Sequence, residues 1–352
     1  MHRFTVAASA AAIALTHSAQ HVMAQAPTVT IAGVIYTHFN YQLGTDTSLA
    51  VDGRRNNFDV NRSYITLNGR SGRASARITA DVDGRRASGN QQTFRLKYAW
   101  IGFSPTGSPL GFKLGAIPTP FIEFDEAIWG YRMQGTVALD RNGFLTSSDF
   151  GFSVEGSWLS EALQIQAGVF NGEGYSAAPG DHHKDVAGRV TYRLARSDDS
   201  SRIGGLRLTG FALVGQRDAG GPRNRYVAML SYRTSRIAAA AQFASTKDSL
   251  SSTLSDVSGR VISAYATYGP SGSAIRVIGR VDVVDPDTDT EPEAPTLTAG
   301  RQTRVIAGVS YQVAPNVRFL MDADFNSLRQ GSPTPAFEAS RRGLFFHAEY
   351  RF

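Results

Sequence analysis

The chain has 352 residues, a mean hydropathy of −0.20 and a formal charge of +6, so its bulk composition is that of an ordinary globular protein. It has no cysteine, which excludes thiolate catalysis and cysteine-based metal sites and suits an oxidising compartment. Its arginines are spread over many segments instead of being clustered on one face, which argues against nucleic-acid binding.

The first residues carry Arg3, an apolar run from Val6 to Leu15, and small residues beyond it, the layout of a secretory signal peptide. Val22 and Ala24 are the small pair, and cleavage after Ala24 avoids leaving Pro27 at the new terminus. The apolar run is about half the ~20 residues that a spanning helix needs. Residues 1–24 are therefore read as a signal peptide and 25–352 as one domain. Removing Arg3 leaves 35 cations against 30 acids, or +5.

From Thr28 onward the hydrophobic period is two. Val29, Ile31, Gly33, Ile35, Phe39 and Tyr41 alternate with polar or smaller partners. Ala74, Ala76, Ile78, Ala80 and Val82 then alternate with Arg73, Ser75, Arg77, Thr79, Asp81 and Asp83. The phase set by Phe94 and Leu96 places Tyr98 and Trp100 on the apolar face and Arg95, Lys97, Ala99 and Ile101 on the other. Phe150, Phe152, Val154 and Trp158 repeat the pattern, as do Val186 to Leu194, Ile275 to Val283 and Val317 to Phe325. The terminal LFFHAEYRF sets Leu344, Phe346, Ala348, Tyr350 and Phe352 against Phe345, His347, Glu349 and Arg351.

About sixteen such segments of roughly ten residues each are present, the length of a tilted membrane-crossing strand. Tight links such as Gly69 to Gly72 and Thr234 to Ser235 alternate with longer polar ones such as Asn171 to Lys184 and Lys247 to Ser258. The links after Phe103 and Leu194 are stretched members of the short set. Alternating short and long links imply an all-β, antiparallel transmembrane barrel with both termini in the periplasm. Closure is required because an open strand edge in lipid leaves backbone groups unpaired at several kcal/mol each. A soluble sandwich or propeller could share the alternation, but would not need ionised side chains along one face of so many strands.

Several stretches resemble the phosphate-selective porins O and P of Gram-negative outer membranes. These are FKLGAIPTPFIEFDE from Phe112, AGVFNGEG from Ala167, KDVAGRVTYR from Lys184 and FDVNRSYITLNG from Phe58. The resemblance spans about the first two thirds of the mature chain and is generic beyond it. Ala116 and Thr119 stand where relatives often carry glutamine and lysine, so no solute specificity carries over. The resemblance implies a homotrimer of water-filled barrels in which segment 119–147, the longest connection, folds into the lumen as a constriction. It also implies that Phe352 is the residue read by the outer-membrane assembly machinery.

The face opposite the apolar one would line the lumen. The basic candidates are Arg62, Arg73, Arg77, Arg95, Lys97, Lys113, Arg189, Arg193, Arg276 and Arg280, with Arg207, Arg304 and Arg318. The acidic ones are Asp81, Asp83, Glu155, Asp282, Asp322 and Asp324. Cations outnumber acids, which favours anions, and the guanidinium fork suits phosphate. Segment 119–147 adds Glu123, Asp125, Glu126, Arg132 and Arg141, whose acids could face the basic wall across a transverse field or merely anchor the loop. No G-x-S-x-G, P-loop or H-E-x-x-H motif occurs, and no enzyme activity, cofactor or metal is expected. Asp181, His182, His183 and Asp185 are read as a solvated loop. The expected function is passive diffusion of small hydrophilic solutes through the outer membrane, favouring anions, phosphate among them. The alternative is a non-conducting barrel: an adhesin, a receptor or a rim-active hydrolase.

Overall fold

The computed structural model describes residues 26–43, 56–86, 92–178, 180, 182–216, 221–249, 256–289, 301–329 and 342–352. The signal segment 1–24 lies outside them, as does Asp181, and the side chain of Asp83 is likewise not described.

The described chain forms β1 (Thr28–Gln42), β2 (Asn56–Ser71), β3 (Ala74–Arg86), β4 (Gln92–Phe103), β5 (Leu110–Pro118), β6 (Ser148–Trp158), β7 (Leu163–Phe170) and β8 (Asp185–Ala195). It continues with β9 (Gly205–Gln216), β10 (Pro222–Arg233), β11 (Ile237–Ser249), β12 (Asp256–Tyr268), β13 (Ile275–Asp285), β14 (Arg301–Ala314), β15 (Val317–Arg329) and β16 (Arg342–Arg351). Each strand pairs antiparallel with its sequence neighbours, and β1 pairs with β16 to close the barrel. Closure runs from Val34 opposite Arg351 to Gln42 opposite Gly343. Beyond that ladder Gly33 and Phe352 exchange backbone hydrogen bonds at 2.9 and 3.1 Å, and the Phe352 ring lies where a Gly33 Cβ would stand. No edge is left in the sheet.

Strand formation follows from the side chains. Phe58, Ile65, Ile78, Ile101, Phe243 and Met321 point outward and are exposed, while Asp81, Thr191, Arg207, Arg280, Asp324 and His347 point inward and are buried. Apolar groups outside and ionised groups inside invert the arrangement of a soluble protein. At the end where the links are short, Phe103, Tyr192, Tyr232, Tyr268, Tyr311 and Tyr350 are all exposed near their strand ends. Such a ring of outward aromatics marks a membrane–water boundary.

Among the described strands the register shifts near the strand ends at Asp83/Arg86, Arg193/Ala195 and Gln312/Ala314, and two further β-bulges interrupt the alternation in mid-strand. Tyr36 pairs with Arg62 and Thr37 with Val60, so Asn61 is the extra residue on β2. Thr79 pairs with Tyr98 and Ala80 with Leu96, so Lys97 is the extra residue on β4. A bulge turns consecutive side chains to one face and reverses the phase beyond it. This corrects the sequence expectation for β4. Lys97 and Tyr98 both lie buried on the inner side, Trp100 also turns inward, and Ile101 is 65% exposed to the outside.

The apolar core lies inside the barrel. Segment 119–147 folds inward, carrying α1 (Ile122–Trp129) and α2 (Ala138–Arg141), and packs on the inner wall of the later strands. Phe121 meets Phe211 with ring centroids 5.3 Å apart, and Trp129 meets Tyr265 at 5.1 Å. Met133, Leu139, Val261, Ile306 and Leu320 complete a patch shielded from water.

Candidate functional site

The inward segment is closed at its base by the Thr119 N–H donating to the Ser147 carbonyl at 3.2 Å, with the Thr119 hydroxyl donating to Thr146. In α1, Ile122, Asp125, Ile128 and Trp129 fall on the buried face, whereas Glu123 and Ala127 are exposed and Glu126 is partly so. The helix ends at Gly130, whose φ of 68° suits a residue without a Cβ.

Arginines of the wall hold this segment in a repeated way. The Arg189 Nε donates to the Pro120 carbonyl at 2.7 Å, and its guanidinium sits 4.2 Å from the Phe124 ring centroid. Arg225 does the same with the Phe144 carbonyl and ring, Arg280 with the Thr136 carbonyl and the Trp129 ring, and Arg318 with the Gly130 carbonyl and the Tyr131 ring. Arg233 donates to the Ala127 carbonyl at 3.1 Å. Carbonyls that cannot pair in a ladder thus find charged donors, and each ring gains a cation–π contact.

Asp125 belongs to the same fastening. It is fully buried and accepts from the Tyr265 hydroxyl at 2.7 Å and from the Gln242 amide at 3.0 Å. Burial pushes its carboxyl up to about 6, against the pull of those two hydrogen bonds. Tyr131 bonds Ser310 at 2.8 Å, and Gln134 donates to Asp324, which Arg304 pairs at 2.8 Å.

The wall from β2 to β5 carries a different cluster. Arg62 and Arg95 both pair with the buried Asp81 at 3.0 Å, and the Tyr175 hydroxyl donates to the same carboxylate at 3.3 Å. Lys97 reaches the Tyr64 hydroxyl at 3.4 Å and lies 4.8 Å from that ring centroid. Arg77 stacks 4.2 Å over Tyr98 and pairs with Glu123 of α1 at 3.0 Å, both groups remaining part-exposed. Lys113 pairs with Glu155 at 2.7 Å.

Facing this wall, the inward segment presents Glu123, Glu126, Arg132 and Asp140. Glu126 pairs with Arg132 at 2.9 Å, and the Thr136 hydroxyl donates to Glu126 at 2.8 Å while also contacting Asp140. Burial opposes ionisation of Glu126, but Arg132 beside it and Lys97 across from it hold its carboxyl below the usual range. Asp140 is pushed up, by burial and by the neighbouring Glu126. A basic wall and an acidic segment therefore face each other inside the barrel, in direct contact at Arg77 and Glu123.

Of the residues singled out in the sequence, Arg62, Arg77, Arg95, Lys97, Lys113, Glu123, Glu126 and Arg132 come together around this opposition. Arg189 and Arg280 hold the inward segment, and Asp125 faces the wall. Arg73 occupies a turn, Arg193 donates to the Ser160 carbonyl, and Arg276 donates to the carbonyls of Ser235 and Arg236, all at the short-link end. Sequence reading missed Tyr64, Tyr98 and Tyr175 as seats for the cations. The one signal for Tyr98 was the mismatch of phase between Phe94-Leu96 and Ile101-Phe103. Asp185 pairs with Arg223 at 3.2 Å, and no group of three or more metal-ligating side chains occurs among the described residues.

No protein-family model and no curated protein matches the chain. Solved structures do. An anion-selective porin from Comamonas acidovorans is similar over 93% of this chain and 100% of its own, with a TM-score of 0.66 and 13% identity. OmpF of Salmonella typhi, in complex with daunomycin, is similar over 92% and 97%, at 0.67 and 14%. OmpT, an outer membrane protein of Vibrio cholerae solved in a trimer form, is similar over 93% and 99%, at 0.61 and 10%. At these identities the shared property is the fold, a closed barrel of outer-membrane type.

Proposed function

We propose that this chain is an outer-membrane porin through which small hydrophilic solutes pass by diffusion, with anions favoured. The observation that carries the reading is the inward segment set across an ionised lumen from Arg62, Arg77, Arg95 and Lys97. An apolar exterior and a closed sheet suit a hydrocarbon surround. Where wall and segment face each other the wall supplies four cations against Asp81, and the segment supplies Arg132 against Glu123, Glu126 and Asp140, so cations exceed acids by one. That excess is small, and the preference it supports is correspondingly modest.

Phosphate is a candidate among those anions because guanidinium groups donate paired hydrogen bonds to it, and because of the likeness of AGVFNG and its following strand to phosphate-selective porins. A homotrimer is supported by the trimer form of the similar Vibrio cholerae protein. The place of Phe352 at the closing seam, against Gly33, suits a terminal residue read during assembly in the lipid of the outer membrane.

Planar-bilayer recording tests the reading. Stepwise conductance is expected, with a reversal potential in a salt gradient on the anion side. A protein that folds and inserts but conducts no current overturns it in favour of an adhesin, receptor or hydrolase. A cation-side reversal potential removes the anion preference alone. Because the Debye length falls from ~10 Å at 0.1 M to ~3 Å at 1 M salt, the preference is expected to weaken over that range.

A further inference from the structure

The link between β7 and β8 turns into the barrel. Its first limb is fixed to β6: the Asn171 N–H donates to the Phe150 carbonyl at 2.8 Å, and the Gly172 N–H donates to the buried carboxylate of Asp149 at 2.9 Å. Gly172 and Gly174 are buried and have φ of 114° and 79°, so the chain turns twice within three residues where a side chain would be strained. A Cβ on Gly174 would stand 3.2 Å from the Thr146 hydroxyl, which places the turn against the base of the inward segment. Arg223 of β10 joins the two ends of the link, pairing with Asp185 at 3.2 Å and donating to the Gly172 carbonyl.

The consequence is the position of Tyr175. Its hydroxyl donates to Asp81 of β3 at 3.3 Å, and the Arg95 guanidinium lies 5.1 Å from its ring centroid. β3 and β7 are four places apart in the sheet, about 19 Å along the wall at ~4.8 Å per strand. A side chain of the β7–β8 link that touches β3 has left its own wall and stands in the interior. Tyr175 is half-buried there, and Ser176, Ala177 and Ala178 after it are exposed. The Gly180 N–H then donates to Glu173 at 3.0 Å, tying the returning chain to the entering one. The inward tip of the link is thus an aromatic ring laid over a cation of the opposing wall.

We infer that the β7–β8 link is a second element of the constriction and that Tyr175 is the residue through which it sets ion preference. The ring covers one face of Arg95 while Asp81 takes its Nη2, so Tyr175 withholds a cation of the wall from passing anions. The hydroxyl is a third donor to Asp81, beside Arg62 and Arg95, and holds the ring in that place. Tyr175 acts through Arg95, as a residue that positions and covers it. The inference rests on the porin reading and gives that channel a determinant of selectivity outside segment 119–147.

The chain has no cysteine, so Tyr175→Cys supplies a single thiol. In planar bilayers a water-soluble, negatively charged methanethiosulfonate is expected to lower the current of that variant and to leave the wild type unchanged. Tyr175→Ala is expected to raise the anion-to-cation permeability ratio about two- to fivefold, the worth of an exposed cation–π contact expressed as a ratio. Tyr175→Phe keeps the ring and is expected to stay near the wild-type ratio, an outcome that a role limited to tethering through the hydroxyl would not give. Folding of each variant is read separately from its β-sheet circular dichroism. A wild type that conducts no current overturns the porin reading and this inference together. A conducting wild type overturns the inference alone if the reagent leaves the Tyr175→Cys current unchanged, if Tyr175→Ala keeps the wild-type ratio, or if Tyr175→Phe shifts as far as Tyr175→Ala.

Discussion

The inner wall has two halves built from the same residue types and put to different uses. From β8 to β15, arginines face aromatic rings of the inward segment and donate to its backbone; from β2 to β5, arginines and a lysine face aromatic rings of their own wall and look across the lumen. In the first half the cation–π contact joins two parts of the chain, and in the second it steadies a side chain within one part. An inward arginine is thus not by itself a pore residue. What decides its role is whether the ring beneath it belongs to the wall or to the inward segment.

That distinction can be broken experimentally, beginning with the largest effect. Trp129→Ala removes the buried ring between Arg280 and Tyr265 and is expected to cost about 3–5 kcal/mol in the fastening of the segment. The readout is larger, noisier conductance steps, and unchanged steps would show that the aromatic face does not hold it. Arg280→Gln leaves Asp282 buried without its 2.7 Å partner and releases the Thr136 carbonyl. A loss of about 3 kcal/mol is expected in thermal or denaturant unfolding, with little change in reversal potential.

Asp125→Asn gives the next effect, and its sign follows from the raised carboxyl. A group near 6 in the folded state and about 4 in the unfolded chain contributes stability that is fully present below pH 4 and is lost as pH rises through 6. Wild type should therefore gain up to about 3 kcal/mol relative to the asparagine variant on going from pH 7 to pH 4, measured by unfolding at both pH values. Equal pH profiles would mean that Asp125 is not held in this environment.

Arg77→Gln has the smallest effect on stability, under about 1 kcal/mol, because its pair with Glu123 is part-exposed. Its reversal potential, however, is expected to move toward cations. If Arg280→Gln moved that potential as far as Arg77→Gln does, the two halves would not be functionally distinct.

Much of the fold was legible because a barrel in lipid writes its geometry into every second residue. The terminal alternation does end in a strand, β16, and that strand pairs with β1, the one beginning at Thr28. The constriction was only half legible. Its acids and cations could be named, but Asp125 turned to the wall while Glu123 and Glu126 turned to the lumen, a choice made by helical spacing within α1. Arg189 and Arg280 carry the same charge and strand periodicity as Arg77, and nothing local separates them.

The sequence by itself indicated about sixteen strands, the inside and outside of most of them, and the side of the barrel with the long links, because period-two patterning against lipid is a local constraint. Tertiary structure alone decided where the phase breaks at Asn61 and Lys97, since a bulge is defined by the strand opposite. It also decided which arginines clasp the inward segment and which face the lumen. Those outcomes depend on residues as far apart as Thr136 and Arg280 meeting across the lumen, a contact that no spacing along the chain records.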